Sequence, residues 1–185
     1  MAHRLALIMI TRSYRSAVSD ALGVIAGEPP LDLQLSAALA LHDWKNGREN
    51  SILTSVSVVD SDGRRRVKKE VMERWQRRWE RAPHGRYTYR IIPMVSRDLK
   101  VCSSDATQLL TGHGNFRGYL FGRKRVEDPF CPYCHAVDDA FHRLGDCKRA
   151  LELTGLGGSI LERVPDIVLW CKENPSKVKS LVKFE

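Results

Sequence analysis

The sequence predicts a mainly α-helical fold: small helical domains with a Cys-Cys-His-Cys knuckle near the C-terminus. Three observations carry this. Apolar residues recur at helical spacing in most of the chain, Gly and Pro punctuate those stretches, and Cys131, Cys134, His142 and Cys147 cluster late in the sequence.

Residues 3–26 form the first helical stretch, with Leu7, Met9, Ile10, Tyr14, Val18, Leu22 and Ile25 in phase until Gly27 and Pro29-Pro30 stop it. Leu31 to Trp44 reads as a second helix, which completes a helical segment over 1–46. A linker is expected over 47–66, where apolar content falls and a Ser61-Asp62-Gly63 turn precedes Arg64-Arg65-Arg66. A basic helical segment follows over 67–126. Its helix from Val67 to Arg81 sets Val71, Trp75 and Trp79 four residues apart, as core residues. Pro83 and Gly85 end that helix, and Arg86 to Val95, rich in aromatic and β-branched residues, is expected to be extended. Short helices are expected at 105–110 and 115–123, then the knuckle and closing helices of 127–185, at 161–171 and 176–182.

The 185 residues, 43% of them apolar, suffice for a buried core. The formal charge is +8, and its distribution says more than its size. Lys and Arg against Asp and Glu number 4 and 4 over residues 1–46, 18 and 8 over 47–126, and 8 and 10 over 127–185. A basic block between near-neutral flanks points to an anionic partner such as RNA or DNA. The apolar run Leu5 to Ile10 is too short for a signal peptide or a membrane span, so the expectation is an intracellular chain with no membrane partner. In a reducing compartment clustered thiols more often hold metal than pair as disulfides.

Cys131 and Cys134 form a Cys-x-x-Cys pair; seven residues then precede His142 and four more precede Cys147. Three thiolates and one imidazole suit tetrahedral zinc, and four protein ligands leave no open position for water. One structural Zn2+ is therefore expected, with His135 a less favourable alternative to His142 because it adjoins Cys134. Cys102 and Cys171 stand apart and are expected to be buried apolar residues. Asp138-Asp139 falls within the knuckle, without the strand hairpin or third carboxylate of a two-metal site, and reads as a solvated loop or helix start. No Gly-rich phosphate loop, nucleophile elbow or metalloprotease motif is present. No catalytic residue and no small-molecule substrate are assigned.

The candidate phosphate contacts are Arg64, Arg65, Arg66, Arg74, Arg77, Arg78, Arg81, Arg86, Arg117, Arg123, Lys124 and Arg125. Arg74, Arg77, Arg78 and Arg81 share one helix face, which suits phosphates but is equally what a solvated face looks like. Trp75, Trp79, Tyr87, Tyr89, Phe116, Tyr119 and Phe121 lie among these cations. Aromatics can stack unpaired bases, although most of these rings are needed for a core. Tyr119 and Phe121 cannot both face the core of one helix. His113, in Thr-Gly-His-Gly, fits a turn better than a ligand contact.

Four stretches carry a resemblance: Tyr14-Arg15-Ser16 with 26–31; Met72 to Gln76 with Trp79; Gly85 to Thr88 with Ile92-Pro93; and Gln108 to Gly114 with Phe116, Tyr119 and Leu120, running into the knuckle. In this order they resemble the C-terminal region of reverse transcriptases encoded by non-LTR (LINE-type) retrotransposons, especially those of insects. The resemblance implies a thumb-like helical segment over 1–46 and carries the metal ligands onto Cys131, Cys134, His142 and Cys147. It also implies a piece of the enzyme without either active site, whose partners are RNA or DNA and the polymerase portion of the same element. The implied location is nuclear when acting on target DNA and cytoplasmic with its RNA. A zinc-stabilised helical interaction module is the alternative, marked by an exposed apolar patch on 1–46.

Overall fold

A computed structural model describes residues 2–48, 62–156, 158–163 and 166–184. They form helices α1 (Ala2–Thr11), α2 (Ser19–Ala26), α3 (Leu31–Lys45), α4 (Gly63–Arg81), α5 (Arg86–Ile91), α6 (Ser104–Thr111), α7 (Arg117–Gly122), α8 (Ala140–Leu144), α9 (Lys148–Thr154), α10 (Ile160–Arg163), α11 (Ile167–Glu173) and α12 (Pro175–Lys183). The chain is mostly helical, and among the described residues the only β pairing is an isolated bridge between Phe130 and Val137.

The long helices follow their apolar stripes. Val67, Val71, Trp75 and Trp79 of α4 are all buried, and the Trp79 indole donates to the Ile92 carbonyl at 2.9 Å. Burying each such side chain contributes about 2–3 kcal/mol. α3 runs antiparallel to α4: Trp44 at its end packs on Gly63, and Asp32 at its start accepts both bonds of an Arg78 fork at 2.9 and 2.8 Å. A Cβ on Gly63 would lie 2.4 Å from the Trp44 ring, so only glycine admits this approach.

α6 lies at the centre, packed against α2, α5, α8, α11 and α12. Six consecutive residues, Ala106 to Thr111, are buried on every side of it. Its polar members are satisfied internally, as buried groups require. Thr107 Oγ1 donates to the Thr11 carbonyl at 2.7 Å, Thr111 Oγ1 to the Thr107 carbonyl at 2.7 Å, and Gln108 Oε1 accepts from the Asn115 N–H at 3.0 Å. Ser103 caps the helix by accepting from the Ala106 N–H, and Gly112 in the left-handed region ends it. One core runs from α2 through α4, α6 and the cysteine segment to α12.

Four expectations are corrected. The stretch 3–26 is two helices, because the chain turns at Arg12 (φ 53°) and the Thr11 carbonyl is taken by Thr107 across the core. Helix α4 begins at Gly63, so the expected linker is helical at 63–66 and Arg64, Arg65 and Arg66 ride on its first turn; residues 49–61 lie outside the described residues. Residues 86–91 are helical and not extended. Gly85 (φ 76°) starts the turn, Arg86 donates to the carbonyls of Trp79 and Glu80 at the end of α4, and these tertiary bonds override β propensity. The closing helix expected at 161–171 is split into α10 and α11.

Gly27 closes α2 at φ 72°, where an added Cβ would come 2.6 Å from the Arg97 carbonyl oxygen. Gly27→Ala is expected to cost at least about 2 kcal/mol, through left-handed strain and backbone displacement, measurable as a lower urea midpoint.

Candidate metal centre and basic surface

The cysteine segment is assembled from short local devices. The Cys131 N–H donates to the Ala136 carbonyl at 2.7 Å and the His135 N–H to the Cys131 carbonyl at 2.9 Å, which folds 131–136 into a tight knuckle with His135 left-handed at φ 58°. The Phe130–Val137 bridge closes its base. Asp139 caps α8 by accepting from the His142 N–H at 2.7 Å, and so aims His142 back at the knuckle. After α8 the Cys147 N–H returns to the His142 carbonyl at 3.0 Å, and Cys147 stands at the head of α9.

These devices bring the ligand atoms of Cys131, Cys134, His142 and Cys147 within 4.8 Å of one another. The Cys131 and Cys147 sulfurs are 3.8 Å apart, and Cys134 Sγ lies 3.2 Å from His142 Nε2. A tetrahedron with Zn–S bonds of about 2.3 Å has S–S edges of about 3.8 Å, the separation of the Cys131 and Cys147 sulfurs. The donor set therefore fits one metal ion. Cys131 and Cys147 are fully buried. Burial pushes the Cys147 thiol up to about 11; the Ala150 N–H opposes the rise and the Cys131 and Cys134 thiols add to it. A bound dication would displace that proton.

Asp138 beside the knuckle is not the solvated residue expected from sequence. It is fully buried and forms a two-bond fork with buried Arg143, at 2.7 and 2.6 Å. Arg143 also donates to the carbonyls of Leu181 (2.8 Å), Val182 (2.6 Å) and Asn115 (2.8 Å), and lies 3.9 Å over the Phe184 ring. Asp138 Oδ2 accepts further from the Arg117 N–H at 2.8 Å. One ion pair thus fastens the knuckle to α7, the loop before it and α12. Asp139, the exposed cap of α8, does stand at a helix start. Cys171 is buried and its thiol is pushed up to about 12, by burial and then by Asp166, but Cys102 is exposed, against expectation, on an open loop.

The candidate phosphate contacts divide into engaged and unengaged groups. Arg74 bonds Glu70 at 2.6 Å, Arg77 lies 3.9 Å from the same carboxylate, Arg78 holds Asp32, and Arg117 holds Asp128 at 2.7 Å. Arg86 caps α4 and stacks on Tyr89 at 3.7 Å, and Arg65 lies 3.6 Å from Asp62. Arg66 also has a partner. Arg64, Arg81, Arg123, Lys124 and Arg125 are exposed and have no carboxylate partner among the described residues.

His113 does more than turn the chain. Its Nδ1 lies 3.0 Å from Ser16 Oγ, which lies 2.6 Å from the Tyr119 hydroxyl, so residues from three of the chain's loops and helices meet in one cluster. Burial, and then the Arg123 charge, hold the His113 pKa below its ordinary value, which keeps the ring neutral at pH 7. Of the paired rings, Tyr119 takes part in this cluster and Phe121 is the exposed one.

No family model matches the chain, and no solved structure does. Curated relatives do. The chain is 28% identical over 196 residues to a retrovirus-related Pol polyprotein from type-1 retrotransposable element R1 4 of Nasonia vitripennis, a match covering 98% of this chain and 50% of that protein. It is 31% identical over 172 residues to a putative 115 kDa protein in type-1 retrotransposable element R1DM of Drosophila melanogaster, covering 87% and 17%. A Pol polyprotein from element R1 of Bradysia coprophila is 28% identical over 166 residues, covering 84% and 16%. The chain spans half the length of the first of these and about a sixth of the other two. It is homologous to part of the Pol polyproteins of R1-type non-LTR retrotransposons, and its Cys3His cluster fits a zinc knuckle.

Proposed function

We propose that the chain is a non-catalytic nucleic-acid-binding segment of an R1-type Pol polyprotein. It grips template RNA or target DNA while one structural zinc ion, held by Cys131, Cys134, His142 and Cys147, orders the chain that presents its cations. The observation that carries this reading is a four-donor cluster with its ligand atoms within 4.8 Å of one another, joined through one core to the rest of a chain of net charge +8. The four protein donors complete a tetrahedral shell, so the ion acts as a cross-link. Template and product strands would be met inside the cell, in the nucleus on target DNA and in the cytoplasm on element RNA. Among the described residues no helix is long and apolar enough to cross a membrane.

Affinity for a labelled single strand, followed by fluorescence anisotropy, is expected to fall steeply with salt. Each phosphate contact to a single strand adds about −0.7 to the slope of log affinity against log salt. Affinity that holds steady between about 50 and about 200 mM salt contradicts phosphate gripping.

One observation favours a second reading, a protein-interaction module. Leu5, Met9 and Ile10 of α1 and Leu31, Leu35 and Leu39 of α3 are exposed, apolar side chains on two helices of 1–46. Under this reading the polymerase portion of the same element packs there. Co-elution with that portion, lost in Leu35→Glu with Leu39→Glu, would support it.

A further inference from the structure

Ser16, in the loop between α1 and α2, is tied at 2.6 Å to Tyr119 of α7, although 103 residues separate them in sequence. This bond places the Tyr14-Arg15 pair beside the end of α7. There Arg123, Lys124 and Arg125 follow one another on an ordered turn, their N–H groups bonded to the carbonyls of Leu120 (3.0 Å), Phe121 (2.9 Å) and Leu120 (3.0 Å). Lys124 sits left-handed at φ 55°, and all three side chains are exposed. Arg123 lies 5.3 Å over the Tyr119 ring, and Asp128, three residues after the turn, is held by Arg117. Two aromatic residues close in sequence to these cations are exposed: Tyr14, before Arg15, at 47% and Phe121, two residues before Arg123, at 46%. Helix α4, by contrast, has much of its basic face neutralised by Glu70 and Asp32.

We propose that this junction is where the chain binds single-stranded nucleic acid, with Arg15, Arg123, Lys124 and Arg125 on phosphates and Tyr14 and Phe121 stacked on unpaired bases. The inference rests on the nucleic-acid reading above and names its site and its substrate class. Charged residues fix a strand without reading it, and exposed rings distinguish unpaired bases from a duplex, whose bases are already stacked. The same chemistry serves RNA and DNA single strands, so both are probes.

The test uses the full zinc-loaded chain and labelled strands of about 15 nucleotides, single-stranded RNA, single-stranded DNA and duplex DNA. Arg15→Ser, Arg123→Ser, Lys124→Ser and Arg125→Ser combined should weaken single-strand binding at least about 100-fold at low salt and flatten the salt slope by about 3. Tyr14→Ala with Phe121→Ala should weaken single-strand binding about tenfold or more and leave duplex binding within about twofold. Arg64→Ser with Arg81→Ser on α4 is the comparison, expected to weaken binding far less than the junction variant. All these positions are exposed, and an unchanged melting temperature establishes that each variant folds. Loss of binding in the α4 variant but not in the junction variant overturns the inference while leaving the proposed function standing. Equal loss of single-strand and duplex binding in the aromatic variant overturns the single-strand assignment. Absence of binding by the parent chain to any of the strands overturns the proposed function as well.

Discussion

Stripping the metal with a chelator, or replacing Cys147 by Ser, is expected to unfold the region from 127 to 184 cooperatively and to loosen α6. The 130–147 segment has one isolated bridge and one five-residue helix, too little regular structure to hold its own shape. Its buried side chains include Cys131 and Cys147 themselves, which belong to the same core as Leu109, Val178 and Leu181. A structural zinc of this donor type contributes on the order of 10 kcal/mol of apparent binding free energy, which here is folding free energy. Hydrogen exchange should therefore lose protection in α8, α9 and α12 first, with α3 and α4 least affected. An unchanged melt and unchanged exchange after chelation would mean that the cluster is a set of ordinary buried thiols.

The second large effect is expected at Arg143. Replacing it with Met removes a bond to each of three backbone carbonyls and leaves the Asp138 carboxylate buried without a cation. Breaking a buried pair from one side costs about 3–5 kcal/mol, most of it the uncompensated charge. Asp138→Leu should be similarly costly. The double variant should recover much of the loss, since an apolar pair of matched volume often replaces a buried ion pair without penalty. Urea denaturation of the four proteins gives the coupling energy directly. Single variants that each cost under about 1 kcal/mol would show that water or a neighbouring group compensates the charge.

The parts legible in the sequence are those set by local pattern. The Val67-Val71-Trp75-Trp79 stripe and the Cys-x-x-Cys, His and Cys spacing each encode geometry within a few residues, and α4 and the four-donor cluster stand where those patterns place them. What escaped depends on partners that only the folded chain brings together. Asp138 looks like any acidic residue in a loop until Arg143, Asn115 and α12 close around it; its one local signal is the Arg five residues later, on a helix that would otherwise expose it. Arg86 counts as a cation in composition but serves as the cap of α4, and Arg78 is spent on Asp32 in α3. The Tyr14-Arg15-Ser16 and Gly112-His113-Gly114 stretches both figured in the family resemblance. Nothing in either sequence indicates that Ser16 and His113 hydrogen-bond each other.

In the proposed function the knuckle orders the chain that presents the cations. The direct measurement is the affinity of the full chain for a labelled single strand with zinc bound, after chelation, and after zinc is restored. Binding is expected to weaken at least about tenfold on chelation and to return with stoichiometric zinc, one ion per chain. Equal affinity in the stripped and loaded states would contradict this, and would separate the metal centre from whatever the basic surface does.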